Sequence, residues 1–164
     1  MRWWLASLVL MGCGPGREAG ETPFIAEVAD FVGYRSWNSW SFAATAGGTS
    51  THTSSPRTVY LNRRPPEGSK AFPVGTIIVK DLDWMTQTFA MVKRGAGYND
   101  GGAKGWEWVE LVPGADPPRI VWRGIAPPPH ETYAGTESDT CNACHSGASG
   151  NDYVQSQALS LAGF

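Results

Sequence analysis

GTIIVKDL, residues 75–82, is the stretch on which the fold of this chain turns. β-Branched residues fill positions 76–79, within bounds set by Gly75 and Asp81, so it reads as a strand. On a two-residue period Thr76, Ile78 and Lys80 share one face, opposite Ile77 and Val79. Working outward, RTVYLN (57–62), TQTFAMVK (86–93), GWEWVELV (105–112) and RIVWRG (119–124) have the same character, and WNSWSFAAT (37–45) is a further strand candidate. Between them lie AGGTSTHTSSP, RRPPEGSKAFP and RGAGYNDGGAKG, whose glycines, prolines and small polar residues mark turns and loops. Upstream, TPFIAEVADFVGYRSW offers Thr22 as a cap and Pro23 at a first helical position. Phe24, Val28 and Phe31 or Val32 then recur at helical spacing, which predicts a helix over 23–35. APPPHETYAGTESD is extended and irregular, and TCNACHSG and NDYVQSQALSLAGF suggest two short helical pieces at the end. The expected fold class is mainly β (α+β): an antiparallel sheet with an N-terminal helix and a short C-terminal helix.

The chain has 164 residues, the length of one domain with a real core. A net charge of −2 supplies no basic stripe for counterion release, which argues against nucleic acid as a partner. At the front, Arg2 precedes an apolar run from Trp3 to Met11, too short for a permanent bilayer span. The run ends in Leu10-Met11-Gly12-Cys13, similar to a bacterial lipobox, in which the cysteine becomes the lipidated N-terminus. The alternative is an ordinary secretory signal with a coincidental cysteine. The expected organisation is a lipoprotein signal peptide over 1–12, a flexible tether over 13–22 and one folded domain over 23–164. The protein is then expected in the bacterial cell envelope, facing the periplasm and held to the membrane by its lipid alone.

With Cys13 assigned to lipid, Cys141 and Cys144 are the thiols that remain in an oxidising compartment. In CNACH, Cys141, Cys144 and His145 stand at i, i+3 and i+4, on one face of a helical turn. Two thiols so placed can add to the two vinyl groups of a haem while the adjacent histidine supplies the proximal iron ligand, His145 being the metal-binding residue. Three other readings compete. Structural zinc wants a second spaced ligand pair, and His52 and His130 do not form one. A thioredoxin-like CxxC would follow an apolar strand, and here GTES precedes it. A disulfide across two residues is strained. The expected cofactor is one haem c, attached through Cys141 and Cys144. No methionine follows Met91, so the sixth position is expected to be open or weakly occupied, with His52 and His130 as further possible ligands.

PRTVYLN, FPVGTIIVKDL, MVK, GWEWVEL, the late CNACH and NDYV, taken in this order, resemble the cytochrome P-460 family, which includes the β-sheet cytochromes c-prime. The resemblance covers about residues 24–157. It implies a largely antiparallel β fold, commonly a homodimer, with one haem c, His145 proximal and the sheet over the distal face. In members that oxidise hydroxylamine or nitric oxide, the lysine of the GTxxVK strand is also bonded to the porphyrin. Here that position is Lys80, although an isolated strand lysine is more often solvated. Catalytic members carry a carboxylate about four residues before the lysine of the VK segment. Here that place holds Phe89, which offers no base and resembles the apolar distal cap of the c-prime members. Asp81, Asp83 and Asp100 are other possible acids. Arg57 is a candidate partner for a haem propionate, the alternative being an exposed arginine. Trp37, Trp40, Trp106 and Trp108 read as core, with one of the four expected against the haem edge and Trp106, from its GW position in the family pattern, the leading candidate.

Three functions follow as expectations. The first is a haem protein that binds nitric oxide or another small diatomic or nitrogen-oxide ligand at an open iron. The second is an oxidoreductase acting on hydroxylamine or nitric oxide with Lys80 bonded to the haem. The third is a six-coordinate electron carrier working with a redox partner protein.

Overall fold

The computed structural model describes residues 22–44, 55–82, 87–95, 97–129, 132–133, 136–137 and 140–164. The expected signal, lipid and tether segments up to residue 21, with Cys13, lie outside them, as do His52, Asp83 and His130.

Six strands form one antiparallel sheet in chain order: β1 (Asn38–Phe42), β2 (Arg57–Leu61), β3 (Ile77–Leu82), β4 (Thr88–Lys93), β5 (Trp106–Leu111) and β6 (Ile120–Gly124). Each expected strand is present, trimmed by a residue or a few at its ends. Two-residue strands β7 (Thr132–Tyr133) and β8 (Thr136–Glu137) pair separately. The helix α1 (Thr140–Ser146) contains the CNACH string.

Both faces of the sheet are covered, which explains why β3 is apolar on both sides of its period. On one face Ile77, Val79, Ala90, Val92, Val109 and Leu111 pack against Ala26, Phe31 and Tyr34 of the N-terminal segment. On the other, Val59, Leu61, Ile78, Met91, Trp106, Trp108 and Trp122 pack with Phe72 and with Val154, Leu159 and Leu161 of the C-terminal tail. Cys141 of α1 and Phe89 of β4 pack on this second face.

The helix expected over 23–35 is replaced by two short 3-10 turns, Val28–Phe31 and Tyr34–Ser36. Gly33 between them has φ +70, a left-handed conformation that breaks a right-handed helix. The apolar period misassigned the buried side: Val28 and Val32 are 39% and 54% exposed, while Ala26, Phe31 and Tyr34 are buried. Tertiary contacts override local propensity here. The Phe24 N–H donates to the Arg94 carbonyl at 3.0 Å, and Asp81 draws in the Tyr34 hydroxyl at 2.8 Å and Arg35 Nε at 3.0 Å. The second C-terminal piece is likewise a chain of 3-10 turns, at Ser149–Asn151, Gln157–Leu159 and Leu161–Gly163.

Candidate functional site

Strand register aligns Trp40, Val59, Lys80, Phe89, Glu110 and Trp122 in one row across the sheet. Strand alternation puts this row on the face that Cys141 packs against. Lys80 and Phe89, separated by nine positions in sequence, are direct cross-strand partners, with the amine 5.6 Å from the ring centroid. The neighbouring row on the same face contains Ile78, Met91 and Trp108.

α1 is fastened to this face by Asn142, a residue between the two cysteines. Its Oδ1 accepts from Asn99 Nδ2 at 2.8 Å, from Trp108 Nε1 at 3.1 Å and from the Ala103 N–H at 3.3 Å, and its Nδ2 donates to Asn99 Oδ1 at 3.0 Å. Gly102 makes the close approach feasible, since a Cβ there would meet the Asn142 amide at 2.5 Å. Cys141, half-buried, and Cys144, exposed, both stand as thiols. The His145 ring lies 4.6 Å from the Trp108 ring and tilted 50° to it. His145 Nδ1 is 2.6 Å from the Tyr153 carbonyl. A carbonyl only accepts, so in the neutral ring Nδ1 carries the proton and Nε2 keeps its lone pair.

Electrostatics tie the amine, thiol and imidazole into one site. Burial lowers the Lys80 pKa to about 7, with ionised Cys141 pulling it back upward. Burial lowers the His145 pKa to about 4; the Tyr153 carbonyl opposes this and the Lys80 charge adds to it. At neutral pH the imidazole is therefore uncharged, and a substantial fraction of Lys80 is a free amine.

The other sequence candidates separate. Arg57 sits on the same face as Lys80, its Nη1 donating to the Ala43 carbonyl at 3.4 Å and its guanidinium 5.1 Å from the Phe42 ring. Trp106 is fully buried against Phe72, and its indole N–H donates to the Asp152 carbonyl at 2.7 Å. Trp108 is the aromatic that touches His145. Trp40 packs on the site face and Trp37 on the opposite one. Asp81 points away from the site, held by Tyr34, Arg35 and Thr88. Asp100 is exposed in the turn before Gly102. The carboxylate placed in the Lys80–Phe89 row is Glu110, which accepts from Trp122 Nε1 at 2.7 Å. Sequence reasoning passed over Asn142, Asn99 and Glu110, and ranked Trp108 behind Trp106. YNDGG carried a turn signal but nothing that pointed to the helix 40 or so residues later, because the contact is purely tertiary.

No family model, curated protein or solved structure matches the chain. Among the described residues, no helix is long and apolar enough to cross a membrane, and no cluster of three or more His, Cys, Asp or Glu side chains is gathered to hold a metal ion.

Proposed function

We propose that this is an exported c-type haem protein whose iron has an open distal side and binds nitric oxide or a related small ligand. The observation that carries the reading is the setting of CNACH. Two thiols and an imidazole share one short helix, Nδ1 is engaged by a carbonyl, Nε2 has no hydrogen-bond partner among the described residues, and the helix is docked on an apolar sheet face. That donor set suits haem c: Cys141 and Cys144 for the vinyl groups, His145 Nε2 for the iron. When bound, the group would supply a redox-active metal able to take a diatomic ligand. Around it, Phe89 and Val59 would exclude water, and Arg57 lies on the same face for a propionate. This reading keeps the resemblance to the cytochrome P-460 family, lipidation at Cys13, a periplasmic location and a homodimer as parts of the proposal.

A second reading, an oxidoreductase acting on hydroxylamine or nitric oxide with Lys80 bonded to the porphyrin, is favoured by the place of Lys80 on the site face, across the sheet from Phe89, where burial depresses its amine. An uncharged lysine is the nucleophilic form, and exchanging a porphyrin C–H for the C–N bond would release two protons and two electrons, which an oxidant of the peroxide class would have to accept.

Expression with c-type haem maturation, followed by intact mass and reduced spectra, tests both. The chain is expected to gain the mass of one haem, and the Cys141→Ala/Cys144→Ala double variant to lose it. Nitric oxide is expected to change the reduced spectrum. A low-spin spectrum indifferent to nitric oxide excludes both readings in favour of an electron carrier. A red-shifted band abolished in Lys80→Ala, together with hydroxylamine turnover, selects the enzyme.

A further inference from the structure

Lys93 and Asp152, from the MVK and NDYV strings, meet on the site side of the sheet. Both are 8% exposed, with Nζ 2.6 Å from Oδ1. Nζ also donates to the Lys104 carbonyl at 3.0 Å, and the other Asp152 oxygen accepts the Phe72 N–H at 2.8 Å. The Asp152 carbonyl takes the Trp106 indole N–H at 2.7 Å. One residue is thus held at its carboxylate and at its backbone by separate parts of the chain.

The backbone at this point is strained. Asp152 and Tyr153 have φ of +48 and +67, two consecutive left-handed residues that are not glycine. Such residues persist only where the surroundings over-determine them. The conformation returns the chain toward α1: the Tyr153 N–H donates to the Ala148 carbonyl at 2.9 Å, and the Tyr153 carbonyl reaches His145 Nδ1 at 2.6 Å. A buried ion pair is weak evidence of stability in itself, since well-packed apolar residues often serve as well. A device that must hold one carbonyl at one nitrogen has more use for it.

We propose that the Lys93–Asp152 pair, with Trp106, positions the Tyr153 carbonyl on His145 Nδ1 and so dedicates Nε2 to the iron. This rests on the haem reading for its purpose, but not for its geometry. Lys93, Asp152 and Trp106 act through Tyr153 and are positioning residues. Holding Nδ1–H in a hydrogen bond also makes the ligating nitrogen a stronger donor, as second-shell partners of histidine ligands do.

The test uses two measurements on Asp152→Asn, Lys93→Met, Lys93→Arg and Trp106→Phe. In haem-free protein, nitrogen-15 spectra of His145 report which nitrogen carries the proton. The parent chain is expected to show Nδ1–H alone, with a shift toward the Nε2–H form in Asp152→Asn, Lys93→Met and Trp106→Phe, and recovery in Lys93→Arg. In ferrous haem-loaded protein, the iron–histidine stretch is expected to move to lower frequency in the same three variants. Variants that melt earlier yet keep the parent tautomer and stretch make the pair a simple staple and overturn the proposal. Trp106→Phe, which removes one hydrogen bond and keeps most of the ring, carries the decision if Asp152→Asn does not fold. Failure of the parent chain to take up haem defeats the haem reading alone, and the tautomer measurement still judges the positioning.

Discussion

Lys80 and Asp81 are neighbours on β3 that point to opposite faces of the sheet, and they are treated in opposite ways. Asp81 is 8% exposed and saturated: the Tyr34 hydroxyl lies 2.8 and 3.0 Å from its two oxygens, Arg35 Nε lies at 3.0 Å and Thr88 Oγ1 at 2.8 Å. Burial and this carboxylate together push the Tyr34 phenol well above its usual pKa, so its hydroxyl keeps its proton and remains a donor. Lys80 has no ion pair with a carboxylate among the described residues; its amine lies against Phe89, within electrostatic reach of Cys141 and His145. The Asp81 cluster resolves its polar groups among themselves and is structural. On the other face the Lys80 amine, the Cys141 thiol and the His145 imidazole lie close together.

Asp81→Ala attacks the satisfied face and is expected to have the largest effect. It strands three donors, one of them the partly exposed Arg35, and is expected to lower unfolding free energy by about 3 kcal/mol in urea titration. A loss below about 1 kcal/mol would erase the contrast between the faces.

Lys80→Met is expected to do the reverse in haem-free protein. The folded pKa is about 7 against a usual 10.5, so between those values the unfolded chain binds the proton that the folded chain refuses. Stability therefore rises with pH across that window, is greatest above it and levels off below it. Lys80→Met is expected to be more stable than the parent at pH 7 and to flatten the slope. Urea midpoints from pH 6 to 10.5 measure both; an unchanged slope would mean that Lys80 is solvated.

Asn142→Ala releases α1 from the sheet and leaves the Trp108 and Ala103 N–H groups without their acceptor, at a cost of about 1–2 kcal/mol. Hydrogen exchange is expected to rise at α1 and the loop from 97 to 105 while the six strands stay protected. Gly102→Ala pushes on the same amide and is expected to cost about 1 kcal/mol, with the same regional exchange pattern. Uniform exchange across the sheet in either variant would show that α1 is not a separately docked element.

Most of the sheet was legible because its signal is local. Backbone geometry alone alternates the faces of a strand, so Ile78 and Lys80 could be placed together, opposite Ile77 and Val79, without knowing what covered either side. The N-terminal segment misled for the complementary reason. Its apolar spacing allowed a helix, but Gly33 and the pull of Asp81 on Tyr34 and Arg35 decided otherwise. The role of Trp106 was likewise open to misreading, because Trp106 and Trp108 share a strand face and only contacts distinguish the one under Asp152 from the one beside His145.

The order of amino acids is enough to tell which runs extend, which side chains share a strand face, and that Cys141, Cys144 and His145 lie within one turn. Each of these depends on backbone periods spanning a few residues. It takes the folded molecule to set Lys80 opposite Phe89, to bring Glu110 into their row, to dock Asn142 in the loop of Asn99 and Gly102, and to seat Asp152 on Lys93. Those neighbours come from strand register and packing, which are set by the sum of contacts over the whole molecule rather than by any segment of it.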